Sequence, residues 1–305
     1  MFHRIVRTLV SLAATGALYA GPAAFVSVNG SDANFCTSAS PCRTFAQALN
    51  QVDNFGTITA LDKGDFTLGS TLNVNVGVTI DGGPGATLTG PLGGSVISLH
   101  PGPGAVIVLR NLDIIVSSDS GIGVSGAVGT TIVRLEHLHF DMSGASPGNG
   151  IILGVVFGSV FLNDVTVDMG SFAQQEGIVL VPTLATTSPY KVFVDRVTVR
   201  GGDNGLIVQD GSVILHDSSF ENCNIGINFQ AINTSPVRLL EGAHISKNTT
   251  GISTGPGTLY LSGSVLSGNT TALFAYAGAT AITFRNNVFA NNGVDGTPAL
   301  STSLK

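Results

Sequence analysis

Four charged residues share one position of a repeating pattern and could carry out acid–base chemistry. They are Asp141, Asp168, Arg200 and Glu221. If successive repeats stack, Asp141 and Asp168 lie one layer apart, where two carboxylates can hold Ca²⁺ through their oxygens. The same pair could serve as acid and base in the hydrolysis of a sugar chain. With Arg200 beside them, they could supply the base and the cation that a lyase needs on an acidic sugar. The alternative is a polar outer edge without chemistry.

Two further series of polar residues fall side by side at predicted corners of the chain. The first series is Arg110, Glu136, Asn163, Asp195 and His216, and the second is Asn111, His137, Asp164, Arg196 and Asp217. Opposite charges largely alternate along both series, and such pairs stabilise neighbouring strands. We expect a ladder of ion pairs here, each worth roughly 0 to 1 kcal/mol. A catalytic set of acid, base and cation is the alternative.

The elements that must position these residues come from one repeated unit. In the copy at residues 211–230, Val213 and Leu215 occupy alternate positions, as the inward residues of a strand do. Two polar residues then break the alternation, and Phe220 resumes it out of phase, which indicates a corner between two short strands. A wider turn leads to a third strand that carries Ile227 inward.

The unit returns from about Val106 to Val294. Its inward residue before the corner falls at Leu109, Leu135, Leu162, Val194, Leu215, Leu239 or Leu240, Leu261 and Phe284. Its third strand opens with Gly121-Ile122, Gly150-Ile151, Gly177-Ile178, Gly205-Leu206, Gly226-Ile227, Gly251-Ile252 and Ala272-Leu273. A repeat of about 20 to 30 residues without helical periodicity indicates a solenoid. We predict an all-β fold, a single-stranded right-handed parallel β-helix of about ten coils, roughly 48 Å long at about 4.8 Å per coil.

One turn position is occupied by asparagine in three successive units. Asn248, Asn269 and Asn292 hold this position, and stacked asparagines can bond one another along such a rod. Cys223 occupies the same position one unit earlier, so we expect a structural thiol there.

The first 24 residues have the pattern of a secretory signal peptide. A positively charged start precedes the apolar run Leu9–Leu18, which is too short to span a bilayer. Ala20 or Ala24 provides a small residue for cleavage, and a buried N-terminal strand or helix is the alternative. No later apolar run is long enough for a membrane span. We therefore expect an exported protein, in the periplasm, outside the cell or on its surface.

Residues 25–56 are predicted to form an N-terminal cap. Cys36 and Cys42 lie close together in a turn-rich segment, and in an oxidising compartment they are expected to form a disulfide. Ser40 and Pro41 suit the start of a short helix, with Ser40 as the N-cap. The apolar face of this helix would cover the first coil. The coils then occupy residues 57–294, and residues 295–305 form a C-terminal tail.

Several segments resemble the start of the pectin-lyase-like right-handed β-helix proteins. These segments are Phe25–Asp32, Ser40–Leu49, Gly56–Ala60 and Val78–Gly82. The resemblance extends over nearly all of the mature chain and implies this fold, often in a secreted bacterial protein with a helical cap of this type. The superfamily mixes polysaccharide lyases, hydrolases, epimerases and non-enzymatic surface proteins, so fold alone does not fix an activity. The paired-Asp and Gly-His-Gly segments of its polygalacturonase branch are absent from the sequence, so no catalytic residue is carried over.

Composition and the outward positions favour a binding protein over an enzyme. A net charge of −6 gives no basic footprint for nucleic acid. Outward positions of the third strand are largely apolar, as at Ile152, Val179 and Ile207, whereas a sugar-cleaving groove needs polar groups. Apolar stripes of this type are usually covered by loops or by a partner. The longest insertions are Met142–Asn149 and Val181–Tyr190.

These observations predict an exported, non-enzymatic surface protein that binds or assembles through its outer faces. A polysaccharide, another protein or a second copy of the chain would be its partner. The alternative is a polysaccharide lyase or hydrolase that acts on an acidic polysaccharide through the four charged residues described first, with Ca²⁺ as the one cofactor it could need. A carbohydrate-binding module without other activity is a third interpretation.

Overall fold

The computed structural model describes residues 23–296 and 300–302, apart from residues 118, 126, 145–146, 155, 171–173, 182–190, 210–211 and 231–236. The predicted signal peptide lies almost wholly outside the described residues and stays a prediction. Ala24 is already buried in the first strand, so cleavage at Ala20 would leave that strand whole. Within the described ranges, no helix has the length and apolar composition of a membrane span.

The described residues form one short helix and a long series of strands. The helix is α1 (Phe45–Leu49). The strands are β1 (Ala23–Val26), β2 (Gly56–Ala60), β3 (Gly64–Thr67), β4 (Leu72–Val74), β5 (Val78–Thr89), β6 (Ile97–Leu99), β7 (Val106–Ile115), β8 (Asp119–Val124), β9 (Ala127–Met142), β10 (Gly148–Leu153), β11 (Val156–Met169), β12 (Gln175–Leu180), β13 (Lys191–Asp195), β14 (Thr198–Arg200), β15 (Asn204–Val208), β16 (Ser212–His216), β17 (Ser219–Glu221), β18 (Ile225–Phe229), β19 (Val237–Glu241), β20 (His244–Ser246), β21 (Thr250–Thr254), β22 (Gly257–Ser262), β23 (Val265–Ser267), β24 (Thr271–Ala275), β25 (Ala279–Phe284), β26 (Val288–Ala290) and β27 (Leu300–Thr302).

Successive turns of chain stack as parallel strands in register, as the repeat predicts. Leu162 pairs with Val194, and Val194 pairs with Leu215, so the three form one internal column in which each is at most 1% exposed. First and second strands belong to one sheet, and third strands form a separate sheet of nine strands. The predicted β-helix is therefore confirmed, with slightly fewer coils in the described residues than the ten expected.

The last turns show where the alternation of the sequence misleads. Leu240 pairs with Leu215, so Leu240 points inward rather than Leu239. Thr283 pairs with Leu261 and is buried, so the prediction of Phe284 as the inward residue is wrong. The larger side chain suggested a core position, but the register with the preceding turn decides which residue faces inward.

The corner between the first and second strand places one residue per turn in the left-handed region of φ. These residues are Asn111, His137, Asp164, Arg196 and Asp217, with φ between 44° and 57°, followed by Gly242 and Gly263. This conformation costs energy for residues other than glycine, and the cost is lowest for Asn and Asp. The second polar series of the sequence is therefore a conformational requirement of the corner as well as a row of charges.

The glycine that opens the third strand is required by a close approach between turns. A Cβ on Gly226 would lie 2.7 Å from the carbonyl oxygen of Gly251, and a Cβ on Gly251 would lie 2.5 Å from that of Ala272. A Cβ on each of the equivalent glycines at 121, 150 and 205 would lie 2.6 Å from a carbonyl oxygen of the next turn. Since the clashing atom is backbone, no side-chain movement can relieve the contact. The Gly-Ile repeat is thus explained by packing between coils.

The N-terminal cap forms from β1, the Cys36–Cys42 disulfide and α1, and it confirms the predicted disulfide. The predicted start of the helix at Ser40 is wrong. Cys42 exchanges backbone hydrogen bonds with β1, so this part of the chain is extended. The N-cap is instead Thr44, whose side chain accepts a hydrogen bond from the backbone N–H of Gln47. Phe45 and Ala48 are fully buried beneath α1, as a cap requires.

The predicted asparagine ladder is present and internal. The side-chain oxygen of Asn269 accepts from both the backbone N–H and the Nδ2 of Asn248, at 3.0 Å each, and its Nδ2 donates to the carbonyl oxygen of Ile245. Asn292 bonds Asn269 in the same way, and the Asn248 oxygen accepts from the backbone N–H of Cys223. The ladder satisfies buried backbone groups at each turn.

Replacement of Gly226 by alanine should destabilise the rod. We expect a loss of about 1–3 kcal/mol in the free energy of unfolding, because the added Cβ overlaps the carbonyl of the next turn. Gly69→Ala is the matched control, since a Cβ there meets nothing within 4 Å. Urea denaturation followed by circular dichroism measures both. Equal stability of the two variants would contradict the close-contact explanation.

Replacement of Asn269 by alanine should cost more than replacement of an exposed asparagine. The variant leaves buried groups of Asn248 and Ile245 without partners, each at about 1–3 kcal/mol. Asn286→Ala, which removes one exposed contact to Ser262, should change stability by less than about 0.5 kcal/mol. Thermal unfolding of the two variants tests this difference, and similar melting temperatures would show that the ladder contributes little.

Candidate functional site

The four charged residues singled out first lie on consecutive turns, in one row on the outside of the rod. Asp141 pairs with Asp168, Asp168 with Arg200, and Arg200 with Glu221. The register therefore places the row as the repeat predicts. We call it the acid–arginine row. It follows the outer edge of the second strands and is not enclosed, since Asp168 and Arg200 side chains are 41% and 48% exposed.

Ion pairs join most of this row. Nη1 of Arg200 lies 3.1 Å from Asp168, and its Nε lies 2.9 Å from Glu221. These two carboxylates hold the pKa of Arg200 above its usual value. His139 extends the chain, with Nε2 at 3.1 Å from Asp168 and Nδ1 at 3.3 Å from Asp113. Ion pairs this exposed are each worth roughly 0 to 1 kcal/mol, so the arrangement is a solvated charge ladder.

Asp141 is held apart from these ion pairs by the turn that follows it. Its carboxylate accepts a hydrogen bond from the backbone N–H of Ser143 at 2.9 Å. Bonds from the side chain and backbone of Ser143 hold the pKa of Asp141 below its usual range. Among the described residues, no three His, Cys, Asp or Glu side chains gather in a way that could hold a metal ion. The proposed calcium ligands, Asp141 and Asp168, stay a prediction.

The corner residues form the ladder of ion pairs that their charges predict. Nε of Arg196 lies 2.7 Å from Asp164, and its guanidinium also contacts Asp195 and Asn163. The hydrogen bond from Arg196 lowers the pKa of Asp164. His216 lies 2.9 Å from Asp195 and continues the row into the next turn. The side chains of these pairs are about one-third to one-half exposed, so this edge too is solvated.

The outer face of the third strands changes character along the rod. Val179 and Ile207, in register with each other, are each only 8% exposed, so the predicted apolar stripe is buried within this chain at these turns. The insertion expected to cover it, residues 181–190, lies almost wholly outside the described residues. From Asn228 onward the same positions are polar or exposed, with Ser253 and then Phe274 in register.

An open groove of about 370 Å³ lies on this polar part of the face. It is lined by Ile225, Asn228, Phe229, Gln230, Ser253, Gly255, Pro256 and Tyr276. Tyr276 is 57% exposed and packs edge-on against Phe274, with ring centres 4.8 Å apart. Amides, a hydroxyl and an exposed aromatic ring therefore line one shallow, open groove.

A half-buried carboxyl group lies on the same face of the rod. Glu176 pairs in register with Asn204, whose Nδ2 lies 3.3 Å from Glu176 Oε1. Burial raises the pKa of Glu176 from 4.5 to about 7, and the nearby charge of Asp203 adds to this shift. Glu176 Oε2 is buried and has no hydrogen-bond partner in the described part of the chain. A carboxyl group that titrates near neutrality is suited to proton transfer or to pH-dependent recognition.

The sequence alone did not indicate the groove or the burial of Glu176. It also did not indicate that His139 contacts Asp113 and Asp168. Asn228 and Ser253 belong to the outward series of the third strand, but their convergence with Tyr276 depends on the chain after each strand. Glu176 could have been found as the one acidic residue placed directly before a Gly-Ile pair. Cys223 behaves as expected, since it is buried and its pKa is raised by burial to about 12.

Comparison with known proteins defines the class of the fold. The sequence matches no protein-family model and no curated protein. Among solved structures, pectate lyase Pel9A superposes with a TM-score of 0.54 at 11% identity, over 94% of this chain and 80% of that one. A rhamnogalacturonan lyase superposes with a TM-score of 0.51 at 12% identity, over 88% of this chain and 73% of that one. The chain therefore has the pectin-lyase-like right-handed parallel β-helix fold, as its N-terminal segments implied.

The raised pKa of Glu176 predicts a pH dependence of stability. The pKa of Glu176 is higher in the folded protein than in the unfolded chain. Its contribution to the free energy of unfolding is therefore fully present below pH 4.5 and is lost as the pH rises through about 7. The wild-type protein should therefore lose more stability than Glu176→Gln between pH 5 and pH 8. Urea midpoints at the two pH values measure the difference. Parallel pH profiles for the two proteins would show that Glu176 has an ordinary pKa.

Proposed function

We propose that this protein is an exported β-helix protein that binds a polysaccharide along its rod without cleaving it. The observation that carries the proposal is the groove between Asn228 and Tyr276. Sugar rings are bound by stacking on aromatic side chains and by hydrogen bonds from amides and hydroxyls, and the groove offers both. The disulfide in the cap supports export, since such bonds persist in oxidising compartments.

Binding is favoured over cleavage by the way the charged residues are used. A sugar-cleaving site needs an acid and a base that both reach one bond of the bound sugar chain. Arg200 is instead shared between Asp168 and Glu221 on an exposed edge, and Asp141 is bonded to its own turn. Assembly through the apolar part of the third-strand face is less favoured than ligand binding, because Val179 and Ile207 on that face are covered within the chain.

A polysaccharide lyase or hydrolase is the second candidate, and Glu176 is the observation that favours it. Its pKa of about 7 is suited to a general acid or base, and it lies on the same outer face as the groove. Two solved structures of similar fold are named as lyases, although identities of 11% and 12% do not extend that activity to this chain. In an enzyme of this type, Glu176 would join or replace the acid–arginine row as the source of chemistry.

One panel experiment separates the two candidates. Purified protein is incubated with polyuronates and with neutral polysaccharides, with and without Ca²⁺. Binding is followed by affinity electrophoresis, and cleavage by reducing ends and the ultraviolet absorbance of unsaturated products. We expect retardation by at least one polysaccharide and no products. Product formation that Glu176→Gln abolishes would establish the second candidate, and the absence of binding to every polysaccharide would contradict the proposed function.

Replacement of Tyr276 by alanine should weaken binding of the retained polysaccharide by about tenfold. Loss of a stacking ring costs about 1–1.5 kcal/mol, and 1.4 kcal/mol corresponds to a factor of ten. The fold should be unaffected because Tyr276 is largely exposed. Tyr260→Ala is the matched control, since Tyr260 lies on the outer face of a first strand and not in the groove. Isothermal titration calorimetry of both variants tests the groove, and an equal effect of the two would place binding elsewhere.

A further inference from the structure

A row of three polar side chains crosses successive third strands and ends in the groove. Asn204 Nδ2 donates to Glu176 Oε1 at 3.3 Å, and Asn228 Nδ2 donates to Asn204 Oδ1 at 3.1 Å. Asn204 is only 7% exposed, whereas Asn228 lines the groove. The row therefore links a half-buried carboxyl group to a side chain that a bound ligand would meet.

The chemistry of the three groups fixes which group donates and which accepts each hydrogen bond in the row. An ionised carboxylate can only accept hydrogen bonds, so Asn204 must turn its NH₂ group toward Glu176. The carbonyl oxygen of Asn204 then faces Asn228, which must donate with its own NH₂ group. Asn228 is left with its carbonyl oxygen and one N–H for the groove. The ionised form of Glu176 thus fixes which way round the amide of Asn228 is held.

Protonation of Glu176 removes this constraint. A neutral carboxyl group both donates and accepts, so Asn204 can rotate by half a turn and still be bonded, and Asn228 can then do the same. The charged and titratable groups near Glu176 in the described residues are Asp203, which precedes β15, and Cys223 in the next turn. Asp203 raises the pKa of Glu176, and the Cys223 thiol stays neutral because its own pKa is about 12.

The position of Glu176 has no evident structural benefit. Its Oε2 atom is buried without a partner in the described part of the chain, and a buried unsatisfied polar atom destabilises a fold. The next outward residues on this face, Val179 and Ile207, are apolar and buried, so an apolar residue would suit the site. Strongly shifted carboxyl groups retained at such positions are more common at functional sites than elsewhere.

We propose that Glu176 and Asn204 are positioning residues that orient the amide of Asn228, so that the groove favours the hydroxyl groups of a neutral sugar over the carboxylate of an acidic one. The proposal rests on the proposed function, since it assumes a saccharide in the groove. A carbonyl oxygen accepts a hydrogen bond from a hydroxyl group but repels a carboxylate, which has no hydrogen to donate. An Asn228 amide turned the other way would offer both hydrogens of its NH₂ group and accept the acidic sugar more readily.

The test compares a neutral and an acidic oligosaccharide of equal length at pH 5.5 and pH 8 by isothermal titration calorimetry. Such oligosaccharides stay fully ionised or uncharged over this range, so changes report on the protein. For the wild type, we expect the preference for the neutral ligand to be at least about threefold stronger at pH 8. Glu176→Gln should lose this pH dependence, because glutamine cannot ionise. Glu136→Gln, which makes the same change at a partly exposed corner of a first strand, should keep it.

The outcomes separate this inference from the proposed function. If the wild type binds neither ligand and no polysaccharide of the panel, both are overturned. If it binds, but its preference is constant with pH or survives in Glu176→Gln, the positioning role alone is overturned. Asn228→Ala provides a second variant should Glu176→Gln fold poorly, and it should bind both ligands with similar affinity at both pH values. Unchanged selectivity in Asn228→Ala would also overturn the positioning role.

Discussion

The in-register stacking of parallel strands is the constraint on which the rest of the structure depends. Within the paired strands, backbone N–H and carbonyl groups of one turn bond those of the adjacent turns, so a paired residue lies directly above its counterpart one repeat away. Core columns, the asparagine ladder and the rows of charge all follow from that geometry. The same close stacking excludes a Cβ at the start of the third strand, which is why glycine returns there in turn after turn.

This constraint also explains how much could be predicted from the sequence. A register that repeats makes inward residues visible as a periodic column, and Leu162, Val194 and Leu215 were found this way. It also placed Asp141, Asp168 and Arg200 on consecutive turns. The prediction failed at Phe284, because its large side chain suggested a core position that the register gives to Thr283. It also failed at Ser40, where the disulfide and strand pairing keep the chain extended. Periodicity identifies stacks, but it does not show where a strand or helix begins.

The candidate site was harder to predict because its contacts do not follow the repeat. Asn228 bonds Asn204 diagonally across turns, and Tyr276 reaches the groove from the chain that follows a strand. Such contacts depend on the paths of turns whose lengths differ from one coil to the next. The charge of a residue is evident from sequence, but its burial is not. The position of Glu176 before a Gly-Ile pair could single it out without showing that it is half-buried, whereas the Asp168 side chain is 41% exposed.

That difference in burial decides which charged groups can do more than solvate the surface. Arg200 and its two carboxylate partners form ion pairs on a solvated edge, so each pair contributes only roughly 0 to 1 kcal/mol. Glu176 is the reverse case, because partial burial destabilises its charge and brings its titration close to neutral pH. The rod therefore carries its ion pairs along solvated edges, whereas the half-buried carboxyl group of Glu176 is linked through Asn204 to Asn228 in the groove. The sensitivity of that group to pH arises from its burial in the fold, and the amides of Asn204 and Asn228 connect it to the groove.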